Sequence, residues 1–329
     1  MSRDMMPMFE LYQPTDIDNA LDLADRFGAD AWKVAGGQDS LDWLKDRAKR
    51  SSTVIDLTRV SELKGIRETA DGVEIGALTT LTEIAESPVI KRRCGLLAAA
   101  AGKVASPQIR NVGTIGGNVG QDTRCWYYRS GMDFYRAGGT TCYADTPEAM
   151  NREHCLFEAD RCVAVTPSDT APALVALDAS MLIRNADGDR VVAAGDFFIG
   201  PEVDIERMTV LQPQDILTAI RIPNTWEGAS FYFEKVADRN TWDFALVNIA
   251  AVLKVADGVI EDIRIVAGGV ECVPRRMTVV EDIVRGSAQD EETAKLAGGA
   301  ASRGATPLNY NQFKIPLLEN LVTRAIRDA

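Results

Sequence analysis

Apolar and polar positions in the first sixty residues follow first helical and then strand spacing. Residues 14–28 carry apolar side chains at helical spacing and end in a glycine, which predicts one amphipathic helix. Short apolar runs at 31–35 and 53–57 are typical of strands, and a second helical pattern lies between them. The pattern therefore predicts a small β-α-β unit in which Gly36-Gly37 forms the turn between strand and helix.

Hydrophobic spacing divides the remaining chain into two parts that mix helices and strands. Pro223 to Gly228 is the expected boundary, because turn-forming residues cluster there. Beyond it, Asp257-Gly258 predicts a hairpin between two strands. We expect helices over 81–102, 171–179, 278–286, 290–302 and 311–327, strands over 73–78, 180–184, 190–194, 215–222, 230–237, 245–255 and 259–267, a loop over 105–122, and irregular structure over 123–168.

Composition narrows the possible partners and the location. The chain has 329 residues, 46% of them hydrophobic, and a formal net charge of −12. This length fits two or three compact units, and an acidic surface argues against nucleic acid and anionic membranes as partners. Residues 1–12 lack the basic start and apolar run of a signal peptide, and no apolar stretch reaches the length of a membrane span. We therefore expect a cytoplasmic protein.

Two glycine-rich turns are the first candidate binding elements. Adjacent glycines let backbone N–H groups converge on an anion, and a following helix adds partial positive charge. Each turn alone is also compatible with a plain tight turn. Neither has the G-x-G-x-x-G spacing of the Rossmann fold, so a dinucleotide bound here implies another fold. The first turn comprises Ala35, Gly36, Gly37, Gln38, Asp39 and Ser40, and the second spans 111–118 with Thr114, Ile115, Gly116, Gly117 and Asn118.

The two turns together resemble the FAD-binding subunits of the xanthine dehydrogenase and carbon monoxide dehydrogenase family. That family has an A-G-G turn and a T-x-G-G-N turn, which hold the FAD diphosphate from two sides. Further segments match: Ser168-Asp169 begins an S-D-x-x-P-A-L element, 215–223 resembles an E-I-L-x-x-I-x-I-P strand, and Lys235 opens a K-x-x-x-R-x-x-x-D region. The resemblance covers nearly the whole chain, from about residue 9 to about residue 327.

The resemblance implies a fold and a set of FAD-binding residues. It implies an α+β fold with a two-subdomain FAD-binding domain of the PCMH or vanillyl-alcohol-oxidase-like type over 1–226. A smaller α+β domain with a three-stranded antiparallel sheet follows over 227–329. Leu246 stands where some animal-type relatives have a lysine near the flavin, which speaks against nicotinamide reduction. Besides the two turns, the implied FAD-binding residues are Gln121, Asp122, Ser168, Asp169, Ile216, Leu217 and Lys235.

Four cysteines lie in an insertion at about 122–167, between the second turn and Ser168. Six cysteines in a cytosolic chain are more consistent with inert thiols or metal ligands than with disulfides. Intervals of 16, 12 and 6 residues contain no C-x-x-C pair, which favours an iron–sulfur cluster over zinc. Zinc and four unrelated thiols remain the alternatives. The predicted ligands are Cys125, Cys142, Cys155 and Cys162, whereas Cys94 and Cys272 are predicted to be structural and His154 to be solvated or to lie beside the ligands.

The insertion is most similar to that of the FAD subunit of 4-hydroxybenzoyl-CoA reductase. In that subunit Q-D-T-R-C follows the second turn, as Gln121 to Cys125 do here, and the added loop holds a [4Fe–4S] cluster. The resemblance implies FAD and [4Fe–4S] as cofactors. It also implies a large molybdopterin-binding subunit, a small [2Fe–2S] subunit and ferredoxin as partners.

The expected function is electron transfer in a molybdenum oxidoreductase whose substrate site lies on a partner subunit. Flavins connect two-electron and one-electron steps, whereas iron–sulfur clusters carry single electrons. The single histidine and the absence of a nucleophile–base pair argue against acid–base or group-transfer catalysis. The alternatives are the FAD subunit of another hydroxylase or dehydrogenase, a lone flavin oxidase, and a zinc-stapled binding protein without flavin.

Overall fold

The N-terminal unit is a parallel three-stranded sheet covered by α1. The structure is a computed structural model that describes residues 6–329, so the first five residues of the segment tested for a signal peptide lie outside it. The Asp16 side chain accepts a hydrogen bond from the Asn19 backbone and starts the first helix, which ends at Gly28 with φ of +47°. The elements are β1 (Glu10–Tyr12), α1 (Ile17–Phe27), β2 (Ala31–Val34), α2 (Ser40–Lys45) and β3 (Thr53–Asp56), with strand order β1-β3-β2.

The second unit is an antiparallel five-stranded sheet packed against short helices. Three helices replace the single helix predicted over 81–102, because Ser87 caps a helix that begins at Pro88 and Cys94 interrupts it again. The elements are β4 (Ile66–Thr69), β5 (Gly72–Gly76), α3 (Leu81–Glu86), α4 (Pro88–Arg93), α5 (Gly95–Gly102), α6 (Pro107–Arg110), α7 (Ile115–Val119), α8 (Trp126–Arg129), α9 (Thr170–Ala176), β6 (Ser180–Asn185), β7 (Gly188–Ala193), α10 (Ala194–Phe197) and β8 (Ile216–Pro223), with strand order β4-β5-β8-β6-β7.

The C-terminal unit is an antiparallel meander with three helices on one face. Three of its strands were predicted, and a two-residue fourth strand extends the sheet at its edge. Alternate residues of the central strands are buried against the helices, which forms a separate aliphatic core. The elements are β9 (Ser230–Val236), β10 (Val247–Ala256), β11 (Val259–Gly268), β12 (Arg275–Arg276), α11 (Thr278–Val284), α12 (Glu291–Ala301) and α13 (Lys314–Asp328), with strand order β12-β11-β10-β9.

The cysteine-rich insertion is irregular apart from α8 and short turns, as predicted. It is held by the C-terminal unit rather than projecting into solvent. The backbone N–H groups of Leu156 and Phe157 both donate to the Val270 carbonyl, at 2.7 and 3.2 Å, and both side chains enter the C-terminal core. The Thr166 N–H donates to the Glu271 carbonyl at 3.0 Å. The insertion therefore bridges the two parts of the chain.

The predicted α+β class is confirmed, and two features differ from the expected pattern. Residues 105–122 contain α6 and α7 instead of a continuous loop, so the second glycine turn is the start of a helix. Strands β1 and β4 were missed because each is short and largely exposed. In residues 6–329 no helix combines the length and apolar character needed to cross a membrane.

Candidate functional site

The first glycine turn presents a run of unused backbone donors. Gly37 has φ of +73°, which turns the chain sharply between β2 and α2. Within residues 6–329, the backbone N–H groups of five successive residues find no acceptor. Successive N–H groups around an αL residue form a concave anion site, and the start of a helix adds to the positive potential. These five residues are Gly36, Gly37, Gln38, Asp39 and Ser40.

The second glycine turn lies directly against the first. A Cβ atom on Gly36 would meet the Val112 carbonyl oxygen at 2.2 Å and the Gly113 Cα at 3.0 Å. Only glycine allows the two backbones to approach this closely. The structure therefore brings together two turns that are about seventy residues apart in sequence, as the resemblance implied.

The backbone N–H groups of the second turn, except that of Thr114, are used inside the fold. Ile115 N donates to the Thr79 carbonyl at 2.9 Å, and Gly116 N donates to the Ala77 carbonyl at 2.8 Å. Gly117 N donates to the Thr114 hydroxyl oxygen at 3.1 Å, which caps α7. The expectation that this turn offers many backbone donors to a ligand is corrected accordingly. These residues position the first turn, whose amides remain available.

A buried polar chain connects the second turn with the Ser168-Asp169 element. The Asn118 side-chain oxygen accepts hydrogen bonds from the Ser168 hydroxyl at 2.7 Å and the Thr170 hydroxyl at 2.6 Å. All three side chains are buried. Since buried polar groups are costly unless they are paired, this chain fixes the start of α9 relative to α7.

Next to this network of buried polar side chains, Asp169 and Lys235 form a buried ion pair. Lys235 Nζ lies 2.6 Å from Asp169 Oδ2, and the other carboxylate oxygen accepts a hydrogen bond from Asn248 at 3.0 Å. The ammonium also donates to the carbonyl oxygens of Asp243 and Lys103 at 2.7 and 3.2 Å, so all three of its protons are used. Burial raises the pKa of Asp169, although Lys235 and Asn248 oppose that shift. Lys235 and Asp169 thus hold the site together and leave no ammonium proton for a ligand.

A cleft of about 690 Å³, including its open mouth, lies beside this ion pair. One wall comes from Ser168, Asp169 and Asn248, and another comes from the loop before β10, including Leu246. The insertion closes the third side. The insertion residues that line it are Thr123, Arg124, Cys125, Trp126, Glu153, His154, Ala164, Val165, Thr166 and Pro167.

Two carboxylates predicted to bind the cofactor are paired with cationic side chains. Asp39 Oδ1 lies 2.7 Å from Arg124 Nη1 and 2.5 Å from Arg129 Nη2, which ties the first turn to the insertion. Asp122 lies 2.5 Å from Lys49 Nζ. These contacts give both carboxylates a structural role in joining the insertion to the N-terminal unit.

The other residues predicted to bind FAD lie in or near the two turns. The Gln38 and Gln121 amides donate to backbone carbonyls of Gly36 and Asn118, at 3.3 and 2.9 Å. Ile216 and Leu217 are buried in β8, in the cores beneath the turns. Ala35 directly precedes the first turn and is half-buried.

Replacing Asn118 with alanine tests the buried polar chain. The change leaves the Ser168 and Thr170 hydroxyls without their shared acceptor, and a buried unpaired polar group costs about 1–3 kcal/mol. We expect the free energy of unfolding to fall by that amount, measured by urea titration. The exposed Asn320→Ala variant, in which a local side-chain contact is lost, is the control. Equal stability of the two variants would contradict the role given to Asn118.

Two family models cover most of the chain. Residues 7–225 match the FAD binding domain in molybdopterin dehydrogenase, and residues 232–329 match the CO dehydrogenase flavoprotein C-terminal domain. The chain belongs to the molybdopterin dehydrogenase FAD-binding family. It is an oxidoreductase subunit that binds FAD, and the predicted enzyme class and family are confirmed.

Relatives of this family align over almost the full chain. The carbon monoxide dehydrogenase medium chain of Hydrogenophaga pseudoflava is 28% identical over 98% of this chain and 97% of its own. The aldehyde oxidoreductase FAD-binding subunit of Escherichia coli K12 is 30% identical, with 90% of each chain covered. A solved carbon monoxide dehydrogenase from H. pseudoflava, lacking the Mo-pyranopterin moiety, superimposes with a TM-score of 0.79 at 27% identity, covering 99% and 98%. Quinoline 2-oxidoreductase from Pseudomonas putida 86 gives 0.77 at 25% identity, covering 98% and 96%.

The residues present fit FAD. The five unused amides of the first turn form a site for a diphosphate, and Asp39 of this turn is paired with Arg124, which lines the cleft. The cleft combines apolar side chains such as Leu246 with a few polar groups, as ligand sites usually do. FAD, when bound, supplies the exchange between two-electron and one-electron steps.

The four insertion cysteines are all buried and form no disulfide. Cys125, Cys142 and Cys155 share one buried cluster with Phe134 and Tyr128, whereas Cys162 packs in an adjoining cluster with Cys272. Within residues 6–329, no group of three or more His, Cys, Asp or Glu side chains is arranged so that it could hold a metal ion. The four thiols lie in two neighbouring clusters of buried side chains. Their binding of a metal stays a prediction.

His154 is buried, so its predicted solvated position is wrong, whereas a position beside a predicted ligand is observed. Its Nε2 lies 3.3 Å from the Cys125 sulfur, and its Nδ1 has no hydrogen-bond partner among the described residues. Burial lowers the pKa of His154 to about 4 and raises the pKa of Cys125 to about 12. The pair is therefore neutral at pH 7 and is not arranged as a nucleophile with its base.

Sequence reasoning missed three residues beside these thiols. Cys272, predicted to be structural, donates its S–H to the Ala164 carbonyl at 3.0 Å and lies against Cys162. Cys272 beside it and the nearby Arg136 lower the pKa of Cys162 to about 7. Arg136 and Lys314 are fully buried cations. Nothing in their sequence spacing marks them, because only the folded chain brings them to the insertion.

Proposed function

We propose that this chain is an electron-transfer flavoprotein subunit that pairs FAD with a four-cysteine [4Fe–4S] cluster in a molybdenum enzyme. The observation that carries the proposal is the position of Cys125. This predicted cluster ligand lines the same cleft as Ser168, Asp169 and Leu246 of the flavin-binding framework. A one-electron centre held there would adjoin the flavin, as an electron relay requires.

The chain's own residues perform three tasks in this relay. The first-turn amides bind the FAD diphosphate, and the Asp169–Lys235 pair fixes the wall of the cleft. Leu246, only 7% exposed, contributes an apolar surface that limits water in the cleft. Arg124 links the two cofactor regions, because it pairs with Asp39 and its guanidinium lies 4.8 Å from the centre of the Phe244 ring.

Four thiolates from separate loop segments are the ligand set of a [4Fe–4S] cluster. Support comes from four buried cysteines without disulfides and from the Gln121-Asp122-Thr123-Arg124-Cys125 sequence shared with 4-hydroxybenzoyl-CoA reductase. Binding would require the thiols to lose their protons and draw together, and metal binding drives both changes. The proposed ligands are Cys125, Cys142, Cys155 and Cys162.

The proposed complex contains a large molybdopterin-binding subunit with the substrate site and a small [2Fe–2S] subunit. We propose reductive dehydroxylation of a 4-hydroxybenzoyl-CoA-type substrate as its reaction, with ferredoxin as the external electron donor. The insertion and Leu246, which replaces a lysine present in some nicotinamide-reducing relatives, support this assignment. In this proposal the flavin domain spans 1–226, the C-terminal domain spans 227–329, and the protein works in the cytoplasm.

A second function is favoured by the activities of related subunits rather than by the insertion. Nicotine 6-hydroxylase medium subunit from Paenarthrobacter nicotinovorans is 29% identical over 98% of both chains. In this alternative the chain is the FAD subunit of a hydroxylase or dehydrogenase that oxidises a heterocycle or an aldehyde. Electrons would then pass from the molybdenum subunit to FAD and leave to an external acceptor.

Elemental and flavin analysis of the anaerobically purified chain tests the cofactor assignment. We expect about four irons and four sulfides per FAD. Cys142→Ser removes a proposed ligand and is expected to lower iron while FAD is retained, because Cys142, unlike Cys125, does not line the cleft. Cys94→Ser changes an equally buried cysteine outside the insertion and is expected to keep both cofactors. Zinc in place of iron, or four free thiols beside a full complement of FAD, would contradict the cluster.

A further inference from the structure

Arg136 is a buried cation whose hydrogen-bonding capacity is largely unused. Its side chain is 1% exposed, and Nη1 donates to the Ile205 carbonyl at 3.0 Å. Nε and Nη2 have no hydrogen-bond partner anywhere in residues 6–329. The Asp122 carboxylate lies 3.6 Å from Nη2, which is an ion-pair distance but too long for a hydrogen bond. Unused donors on a buried guanidinium are costly, so their presence indicates a partner of negative charge.

The cluster that contains Cys162 and Cys272 is the nearest place for a negatively charged partner of Arg136. Ile205, which receives the Arg136 hydrogen bond, packs against Cys162 and Cys272. Arg136 therefore lies next to the cluster that contains Cys162 and Cys272.

The charges around the cysteines do not balance when the thiols are protonated. Arg136 and Lys49 share a single carboxylate, Asp122, so two cations stand against one anion there. Lys314 adds a buried ammonium, which donates to the carbonyl oxygens of His154 and Gly269, both at 2.9 Å. Glu271, which also lies near, is engaged by Arg275 at 2.6 Å. Arg136 thus has only a carboxylate shared with Lys49 as its counter-charge among the described residues.

We propose that Arg136, with Lys314 on the other side, is a positioning residue that compensates the negative charge of the cysteine-bound group. This inference rests on the proposed cluster. Four thiolates and a [4Fe–4S] core carry a formal charge of roughly −2 when oxidised, and one more negative charge when reduced. With a cluster bound, the positive charge and free N–H groups of Arg136 would favour the reduced form and so raise the reduction potential.

The test is a redox titration of the anaerobically purified holoprotein, followed by EPR. In Arg136→Gln we expect the equilibrium for cluster reduction to weaken about tenfold, which lowers the midpoint potential by about 59 mV for one electron. Arg136→Lys keeps the charge and is expected to restore most of the potential. Arg161→Gln is the matched control, because Arg161 adjoins Cys162 but its side chain is 48% exposed and pairs with Asp160.

The possible results distinguish the proposed role of Arg136 from the presence of the cluster. Loss of iron in Arg136→Gln, with iron retained in Arg136→Lys and Arg161→Gln, also supports the charge requirement. Full iron content in Arg136→Gln with the potential of Arg161→Gln would overturn the role of Arg136 and leave the cluster intact. A wild-type chain that contains no iron overturns both.

Discussion

Replacing Gly36 with alanine is expected to lower the affinity for FAD at least tenfold. A Cβ atom at this position would lie 2.2 Å from the Val112 carbonyl oxygen, so the two glycine turns must separate. Separation displaces the five unused amides that form the diphosphate site, and overpacking of this kind costs about 1–3 kcal/mol. A loss of 1.4 kcal/mol in binding already corresponds to a factor of about ten.

The measurement is fluorescence titration of the flavin-depleted chain with FAD. Gly299→Ala is the control, because its added Cβ would meet nothing within 4 Å and it lies in α12 of the C-terminal unit. That variant should bind FAD like the wild type. If Gly36→Ala binds FAD as tightly as Gly299→Ala does, the diphosphate is not held where the two turns meet.

Replacing Lys235 with methionine is expected to produce the largest loss of stability. The side chains of Lys235 and Asp169 are 7% and 4% exposed, and removal of the cation leaves a buried carboxylate with only Asn248 as partner. Breaking a buried ion pair in this way costs about 3–5 kcal/mol. We expect this decrease in the free energy of unfolding by urea titration at pH 7, together with weaker retention of FAD.

Two further variants identify the cause of that loss. Adding Asp169→Asn to Lys235→Met removes the unpaired charge and should recover part of the stability. Arg184→Met breaks a pair whose side chains are 39% and 63% exposed, and it should cost no more than about 1 kcal/mol. Equal costs for Lys235→Met and Arg184→Met would show that the buried pair does not hold the cleft wall.

Much of the fold follows from local sequence patterns. Residues 17–27, 53–56 and 259–268 form the predicted elements because their apolar spacing and turn residues agree with their tertiary environment. Strand β4 is different: three of its four residues are exposed, so its pairing with β5 leaves almost no hydrophobic pattern. Such strands are determined by their neighbours.

Part of the candidate site was likewise predictable from the sequence, and part was not. The glycine turns were found from sequence because close backbone approach and unused amides require particular residues at particular spacing. The internal use of the amides was not foreseen: Ile115 N and Gly116 N of the second turn donate to the Thr79 and Ala77 carbonyls, which come beside it only in the folded chain. Asp39 was predicted to contact the cofactor, yet it binds two insertion arginines. Arg136 and Lys314 had no sequence signal, because their importance depends on burial.

The central claim is that one chain holds both a flavin and a one-electron metal centre. The most direct test is stepwise dithionite reduction of the anaerobically purified wild-type chain, monitored by visible absorption and low-temperature EPR. We expect bleaching of the flavin bands and a separate reduced-cluster signal that integrates to about one spin per chain. Flavin bleaching without any metal-centred EPR signal, in a chain that contains zinc or free thiols, would contradict the claim and leave a flavin subunit with a structural insertion.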